Sequence, residues 1–164
     1  MRAVFLCGFM GCGKTTVGKK LSALLSCDFT DLDEYIVKTE GKTIPEIFSQ
    51  NGESYFRQAE ERCLKELSEK TGGVIALGGG AILNPNTAKT ANDCGITVFI
   101  DVPFEISYER IKDDENRPIA AASTKEQLFE LYQKRLSVYR ENSQFSVFGT
   151  DSEDIAGKIA EIVL

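Results

Sequence analysis

Hydrophobic and polar positions change period repeatedly along this chain, and the changes mark out alternating strands and helices. Ala3-Val4-Phe5-Leu6-Cys7 is a continuous apolar run, short enough for a buried parallel strand. Val17, Leu21, Leu24 and Leu25 then recur at helical spacing. Residues 27–33 read as a second short strand ending in two carboxylates, Asp31 and Asp33. A helix through Tyr35 and Ile36 stops at Gly41, and Thr43-Ile44-Pro45-Glu46 restarts one with a capping box and a proline in its first turn. Asn51-Gly52 ends that helix. From Glu53 a long helix carries Phe56, Ala59, Cys63, Leu64 and Leu67 on one face. A third strand, Val74-Ile75-Ala76-Leu77, runs into Gly78-Gly79-Gly80, and Asn84-Pro85 opens the next helix. Ile96-Thr97-Val98-Phe99-Ile100 is a fourth strand with Asp101 behind it, followed by a short helix over 104–111. Thr124 to Glu141 is amphipathic, with Leu128, Leu131, Tyr132, Leu136 and Tyr139 on or near its apolar stripe. Phe145-Ser146-Val147-Phe148 is a fifth strand, and residues 151–154 cap a last helix whose face is Ile155, Ile159 and Ile162. This alternation implies an α/β fold of three layers, a central parallel five-stranded sheet flanked by helices.

Chemistry enters at the first strand-to-helix junction. Gly8-Phe9-Met10-Gly11-Cys12-Gly13-Lys14-Thr15 fits the pattern G-x-x-x-x-G-K-[ST] at every fixed position. Glycines there let backbone N–H groups turn inward around a phosphate, and the helix N-terminus behind them favours negative charge. Lys14 would place a compact positive charge on the terminal phosphates, and the Thr15 hydroxyl would ligate Mg²⁺. A glycine-rich turn that binds nothing is the bland alternative, and the strand-loop-helix context argues against it.

Composition narrows the chemistry. At 164 residues, with 42% hydrophobic and 27% charged positions, this is one ordinary globular domain with no repeat or low-complexity tract. No apolar run approaches the ~20 residues needed to span a bilayer, and Met1-Arg2 opens straight into a strand, so a cytoplasmic protein without a leader is expected. Five cysteines, at 7, 12, 27, 63 and 94, form an odd set with no C-x-x-C pair, against both a disulfide framework and a zinc site. The chain has no histidine, which removes Ser-His-Asp and Cys-His catalysis and histidine-ligated metals. A net charge of −6 argues against non-specific nucleic-acid binding. An acidic protein that binds anions must concentrate its cations, so the seven arginines (Arg2, Arg57, Arg62, Arg110, Arg117, Arg135 and Arg140) become informative.

Several positions carry two readings. Ligands collect at the carboxyl ends of parallel strands, where Asp31 and Asp33, two apart on an extended chain, would point the same way. Alternatively Asp33 is a helix N-cap. Asp101, at the end of the fourth strand, rivals Asp31 as a metal-shell ligand. Arg57 is suited to gripping a carboxylate or phosphate, or else forms an exposed i,i+4 pair with Glu53 or Glu61. Gly78-Gly79-Gly80 lets backbone N–H groups approach a ligand closely, or is a flexible loop. Residues 112–124, polar and then small, make either a mobile lid that delivers Arg117 or a solvated surface loop. Arg135 lies beside the apolar stripe of its helix and could point inward. Cys12, in the phosphate loop at a helix N-terminus, stands where thiols are activated. A thiol reagent is thus expected to inactivate the protein, and ATP to protect it.

Taken together, GFMGCGKT (8–15), DLD (31–33), GESYFR (52–57), VIALGGG (74–80), RP (117–118) and the helix around Arg135 resemble the shikimate kinases, small-metabolite kinases of the nucleoside-monophosphate-kinase structural family. The resemblance implies a single P-loop kinase domain over 1–164, with residues 32–61 as a substrate-binding helical insert and 112–124 as the lid. It implies ATP as co-substrate, Mg²⁺ as cofactor, shikimate as acceptor, and a monomer with no nucleic-acid or membrane partner. Residue by residue, it places Gly11, Cys12, Gly13, Lys14, Thr15 and Thr16 around the nucleotide phosphates and Arg110 on the adenine. Asp31 joins Thr15 in the Mg²⁺ shell and is preferred over Asp101 on this ground. Asp33 would bind the substrate hydroxyls and orient or deprotonate the attacking one. Arg57 and Arg135 would grip the carboxylate, Gly79 and Gly80 would lend N–H groups, and Arg117 would meet the phosphates. Lys14, Asp33 and Arg117 are then the catalytic set. Another kinase of this fold, such as a gluconate or nucleoside-monophosphate kinase, and a non-catalytic nucleotide-binding module are the competing readings.

Overall fold

A computed structural model describes residues 1–70, 72–114 and 118–164. The elements in order are β1 (Ala3–Cys7), α1 (Lys14–Leu25), β2 (Phe29–Asp31), α2 (Leu32–Glu40), α3 (Ile44–Asn51), α4 (Glu53–Lys70) and β3 (Val74–Ala76). A 3-10 turn (Ala81–Leu83) leads to α5 (Pro85–Cys94), β4 (Gly95–Asp101), α6 (Phe104–Ile111), α7 (Pro118–Ala121), α8 (Lys125–Asn142), β5 (Phe145–Phe148) and α9 (Ser152–Val163).

The five strands form one sheet in the order β2-β3-β1-β4-β5, every pair parallel. All of β1 is buried, as its unbroken apolar run requires. Its residues alternate between two cores: Ala3, Phe5 and Cys7 join the helices on one side, including Ile36, Phe56, Leu64 and Tyr139. Val4 and Leu6 join Val17, Leu21, Ile155 and Ile159 on the other. Because β3 returns between β1 and β2 and β4 is then added on the far side of β1, the strand order reverses beside β1, and a crevice opens at the carboxyl ends of β1 and β3. The glycine-rich loop 8–13 follows β1 and Gly78-Gly79-Gly80 follows β3, so both face that crevice.

Two expectations are corrected. The second strand stops at Asp31, not residue 33, and it is Asp31 that caps α2, its Oδ1 accepting from the N–H groups of Asp33 at 2.9 Å and Glu34 at 3.2 Å. Asp33 is therefore a first-turn helical residue and not the cap. Leu24 is 60% exposed and Ile162 37% exposed, each at the edge of an apolar stripe that the sheet covers only in part. Residues 32–61 form α2, α3 and the first half of α4. Of residues 112–124, which the sequence offers as a lid or a surface loop, the structure shows α7, and Arg117 lies outside the described residues.

Candidate active site

The crevice holds a cleft of about 310 Å³ lined by Gly11, Gly13, Lys14, Thr15, Thr16, Asp31, Asp33, Gly78, Gly79 and Arg110, among others. A second cleft of about 260 Å³ shares Gly13, Thr16 and Arg110 with it and continues past Cys12 to Ser152 and Ile155 on α9. The two form one trough, its phosphate-loop wall in the middle.

That wall is made of backbone. Gly13 sits at the N-cap of α1 with φ 91°, a left-handed conformation that glycine adopts without strain. No side chain caps α1 and its first turn holds no acidic residue, so its leading N–H groups are open to an anion. Lys14 Nζ folds back onto the loop, donating to the Gly8 carbonyl at 2.7 Å and the Phe9 carbonyl at 3.4 Å. This braces the ammonium at the cleft floor. Thr15 Oγ1 donates to Asp31 Oδ2 at 3.4 Å, while Asp31 Oδ1 holds the α2 cap. Arg110 spans the trough, its Nη1 donating to the Gly11 carbonyl at 3.0 Å and its Nη2 to the Thr150 carbonyl at 3.5 Å.

Cys12 stands differently from its sequence expectation. Its N–H donates to the Phe9 carbonyl at 3.1 Å, and its thiol is 2% exposed, packed into the second core below the loop. A buried thiol is not presented to reagents, whatever the helix terminus above it does.

The opposite wall is made of charged side chains gathered on three glycines. A Cβ at Gly78 would stand 2.7 Å from Asp33 Oδ1, and one at Gly80 would stand 2.8 Å from Arg57 Nη2. Arg135 Nη1 lies 3.8 Å from the corresponding point of Gly79. Any larger residue at 78 or 80 would push away the side chain that the loop receives. Asp33 comes from α2, Arg57 from α4 and Arg135 from α8, so three helices converge on a single loop. Burial, and next the charge of Asp31, push the Asp33 carboxyl above the ordinary carboxylate range, with Lys14 and Arg57 opposing.

Arg57 is held in place. Its Nη1 donates to Glu60 Oε1 at 2.9 Å, its Nε lies 3.8 Å from Glu53 Oε1, and the guanidinium stands 5.3 Å over the Phe56 ring. The sequence alone points to Glu53 or Glu61 as the partner of Arg57, and not to Glu60. Glu61 instead meets Thr90 at 3.5 Å. The signal existed, since Glu60 falls four residues after Phe56, in the apolar stripe of α4, where an unpaired charge is not tolerated. Only 1% exposed, its carboxyl is pushed up to about 7 by burial, against the pull of Arg57. Asp101, the rival metal ligand, is paired with Arg140 Nη2 at 3.0 Å and does not line the cleft.

Comparisons with known proteins give the family. The sequence profile of the family described as "Shikimate kinase" matches residues 10–164. The chain belongs to the shikimate kinase family. Its similarity to the shikimate kinase of Aquifex aeolicus is 44% identity over 136 residues, covering 83% of this chain and 80% of that one. With the shikimate kinase of Thermodesulfovibrio yellowstonii it shares 40% identity over 162 residues, 97% of this chain and 93% of the relative. Among solved structures, shikimate kinase from Acinetobacter baumannii in complex with shikimate superposes with a TM-score of 0.90 at 35% identity, covering 99% of this chain and 93% of that one. Family membership makes the chain a phosphotransferase, and the five-stranded parallel architecture is the one these enzymes share.

Proposed function

We propose that the chain transfers the γ-phosphoryl group of ATP to the 3-hydroxyl of shikimate, and that the two walls of the trough divide the work. The observation that carries this is the convergence of one carboxylate and two guanidinium groups on Gly78-Gly79-Gly80, across the cleft from Lys14 and Thr15. Such a pocket offers cations to an acid and an acceptor to alcohols, which fits a small polyhydroxy carboxylate. In-line phosphoryl transfer needs positioning and charge stabilisation more than covalent chemistry.

On this reading the phosphates lie along Gly11, Gly13, Lys14, Thr15 and Thr16, and Arg110 flanks the base in the adjoining cleft. Lys14 is already aimed by the loop carbonyls, so it meets the phosphates without a large rearrangement. Arg57 and Arg135 take the acceptor carboxylate, with the N–H groups of Gly79 and Gly80 beside them. Asp33 accepts a hydrogen bond from the attacking hydroxyl, and its raised carboxyl makes it a better proton acceptor than an ordinary aspartate. Arg117 is the cation proposed to meet the transferring group from the lid.

Mg²⁺ fits the residues present. Among the described residues no cluster of three acidic or cysteine side chains forms a dedicated metal cage. Thr15 Oγ1 and Asp31 Oδ2, 3.4 Å apart at the phosphate end, are the sparse donor set that this ion takes when phosphate oxygens and waters complete its shell. When bound, it neutralises charge on the β- and γ-phosphates.

The test is ADP release from Mg-ATP with shikimate, gluconate and nucleoside monophosphates offered separately. Turnover with shikimate alone is expected. Turnover with another acceptor would keep the phosphate site and reassign the pocket, and ATP binding without any turnover would favour a non-catalytic module.

A further inference from the structure

Helix α8 meets the loop after β3 at two points. The Tyr139 hydroxyl, on a residue 1% exposed, donates to the Gly79 carbonyl at 2.8 Å. Three residues on, Asn142 Nδ2 donates to the Ile82 carbonyl, also at 2.8 Å. Donors at i and i+3 share one face of a helix, and the acceptors at 79 and 82 stand the same three residues apart. Two such bonds fix both the rotation of α8 and its register along the loop. Each is anchored in turn. The Tyr139 ring stacks on Phe99 with centroids 5.4 Å apart, and the Asn142 carbonyl accepts from Asn92 Nδ2 at 2.9 Å.

Arg135 lies one turn before Tyr139 on the same helix, with its guanidinium beside both the phenol and Gly79. Whatever holds α8 against Gly79 therefore also sets where Arg135 stands over the glycine loop. We propose that Tyr139, assisted by Asn142, is a positioning residue for the acceptor: it sets the gap between Arg135 and the Gly79-Gly80 backbone in which the acceptor carboxylate is held. This rests on the reading of the trough as a shikimate site. Phe99 and the core already hold the ring; the hydroxyl joins the Gly79 carbonyl, in the same peptide as the Gly80 N–H, to the Arg135 guanidinium.

Tyr139→Phe keeps the ring and its stacking and removes only the hydroxyl, with its bond to the Gly79 carbonyl and its contact with Arg135. The KM for shikimate is expected to rise about five- to tenfold, the worth of one lost hydrogen bond, with kcat and the KM for ATP within about twofold of wild type. Asn142→Ala should show the same split to a smaller extent. In an Arg135→Ala background the hydroxyl should matter little, changing shikimate affinity by less than about twofold, because the group it acts through is gone. An unchanged shikimate KM in Tyr139→Phe would overturn the proposal. So would a parallel rise in the KM for ATP with a lowered unfolding midpoint, or a full effect in the Arg135→Ala background. Wild-type protein assayed alongside separates the two levels of failure. No shikimate turnover by wild type removes the reading of the site and the proposal with it, whereas normal wild-type turnover with an indifferent Tyr139→Phe sinks the proposal alone.

Discussion

The phosphate loop offers its ligand backbone N–H groups and one lysine from a single stretch of chain, whereas the acceptor wall offers charged side chains carried in by α2, α4 and α8. The first needs only that glycines sit where left-handed or close-packed backbone is required. The second places one carboxylate and two guanidinium groups around three glycines, with the buried Glu60 behind Arg57, so each charge depends on the others. Substitutions on the two walls should therefore fail in different ways.

The largest separation is expected from Asp33→Asn. The variant keeps the size of the side chain and every feature of the phosphate wall, so ATP should bind as in wild type. Turnover with shikimate should fall about 10²–10³-fold, because an amide neither takes the hydroxyl proton nor orients it as a carboxylate does. Steady-state kinetics beside an ATP-binding titration would check this. Near-normal turnover would dissolve the division of labour between the walls.

A pair of substitutions sharpens the picture within the acceptor wall. Arg57→Ala and Arg135→Ala should each weaken shikimate binding about tenfold or more, the worth of a charge-assisted hydrogen bond. Only Arg57→Ala should also lower the unfolding free energy, by about 1–3 kcal/mol, because it strands the buried Glu60 without its partner. Comparing shikimate titrations with thermal unfolding of the two variants distinguishes a ligand contact from a contact that also holds the fold. Equal stability losses would show that Glu60 does not depend on Arg57.

How much of this could be read from sequence follows the same divide. The phosphate wall is contiguous, so its spacing alone located Gly8 to Thr15 and the strand and helix on either side. The sheet and most helices were equally legible because their periods are local, and Asn84, Thr124 and Asp151 cap the helices they precede. The acceptor wall is assembled by tertiary contacts. Asp33, Arg57 and Arg135 were singled out through resemblance and residue type, while Glu60 and Tyr139 looked like ordinary members of amphipathic helices. The exchange of cap roles between Asp31 and Asp33 turned on a two-residue difference in where β2 ends, and such boundaries are the least determined by local pattern.

A smaller effect should appear in the pH dependence of stability. Unfolded, Glu60 loses its proton near its ordinary 4.5; folded, it does so only near about 7. Between these values the folded protein binds more protons than the unfolded one, so this group's contribution falls as pH rises through the window and levels off above it. Burial raises Asp33 as well, and it acts in the same direction. Glu60→Gln cannot lose a proton, so its melting temperature relative to wild type should climb by several degrees between pH 5 and pH 8. A constant difference across that range would mean that Glu60 is ionised throughout.

The smallest effect concerns the one side chain of the phosphate loop that its position makes look reactive. Cys12 stands at the N-terminus of α1, yet its thiol packs into the core with Val17, Ile100 and Ile155 and lies 2.8 Å from where a Cβ of Gly8 would be. Access and not the helix field then governs its chemistry. Cys7 and Cys63 are buried like Cys12, and although burial raises the Cys27 thiol as well, the half-buried Cys27 and Cys94 are the accessible thiols and should be labelled first. Titration with an aromatic disulfide should therefore modify those two with little loss of turnover and no protection by ATP. Cys12→Ala should keep turnover within about twofold and lower stability by about 1 kcal/mol, the scale of a small core truncation. Mass spectrometry of the labelled protein with parallel activity assays would check both. Inactivation that ATP prevents and Cys12→Ala abolishes would mean that the loop opens far enough to expose its underside, and that the backbone wall is less rigid than the side-chain wall it faces.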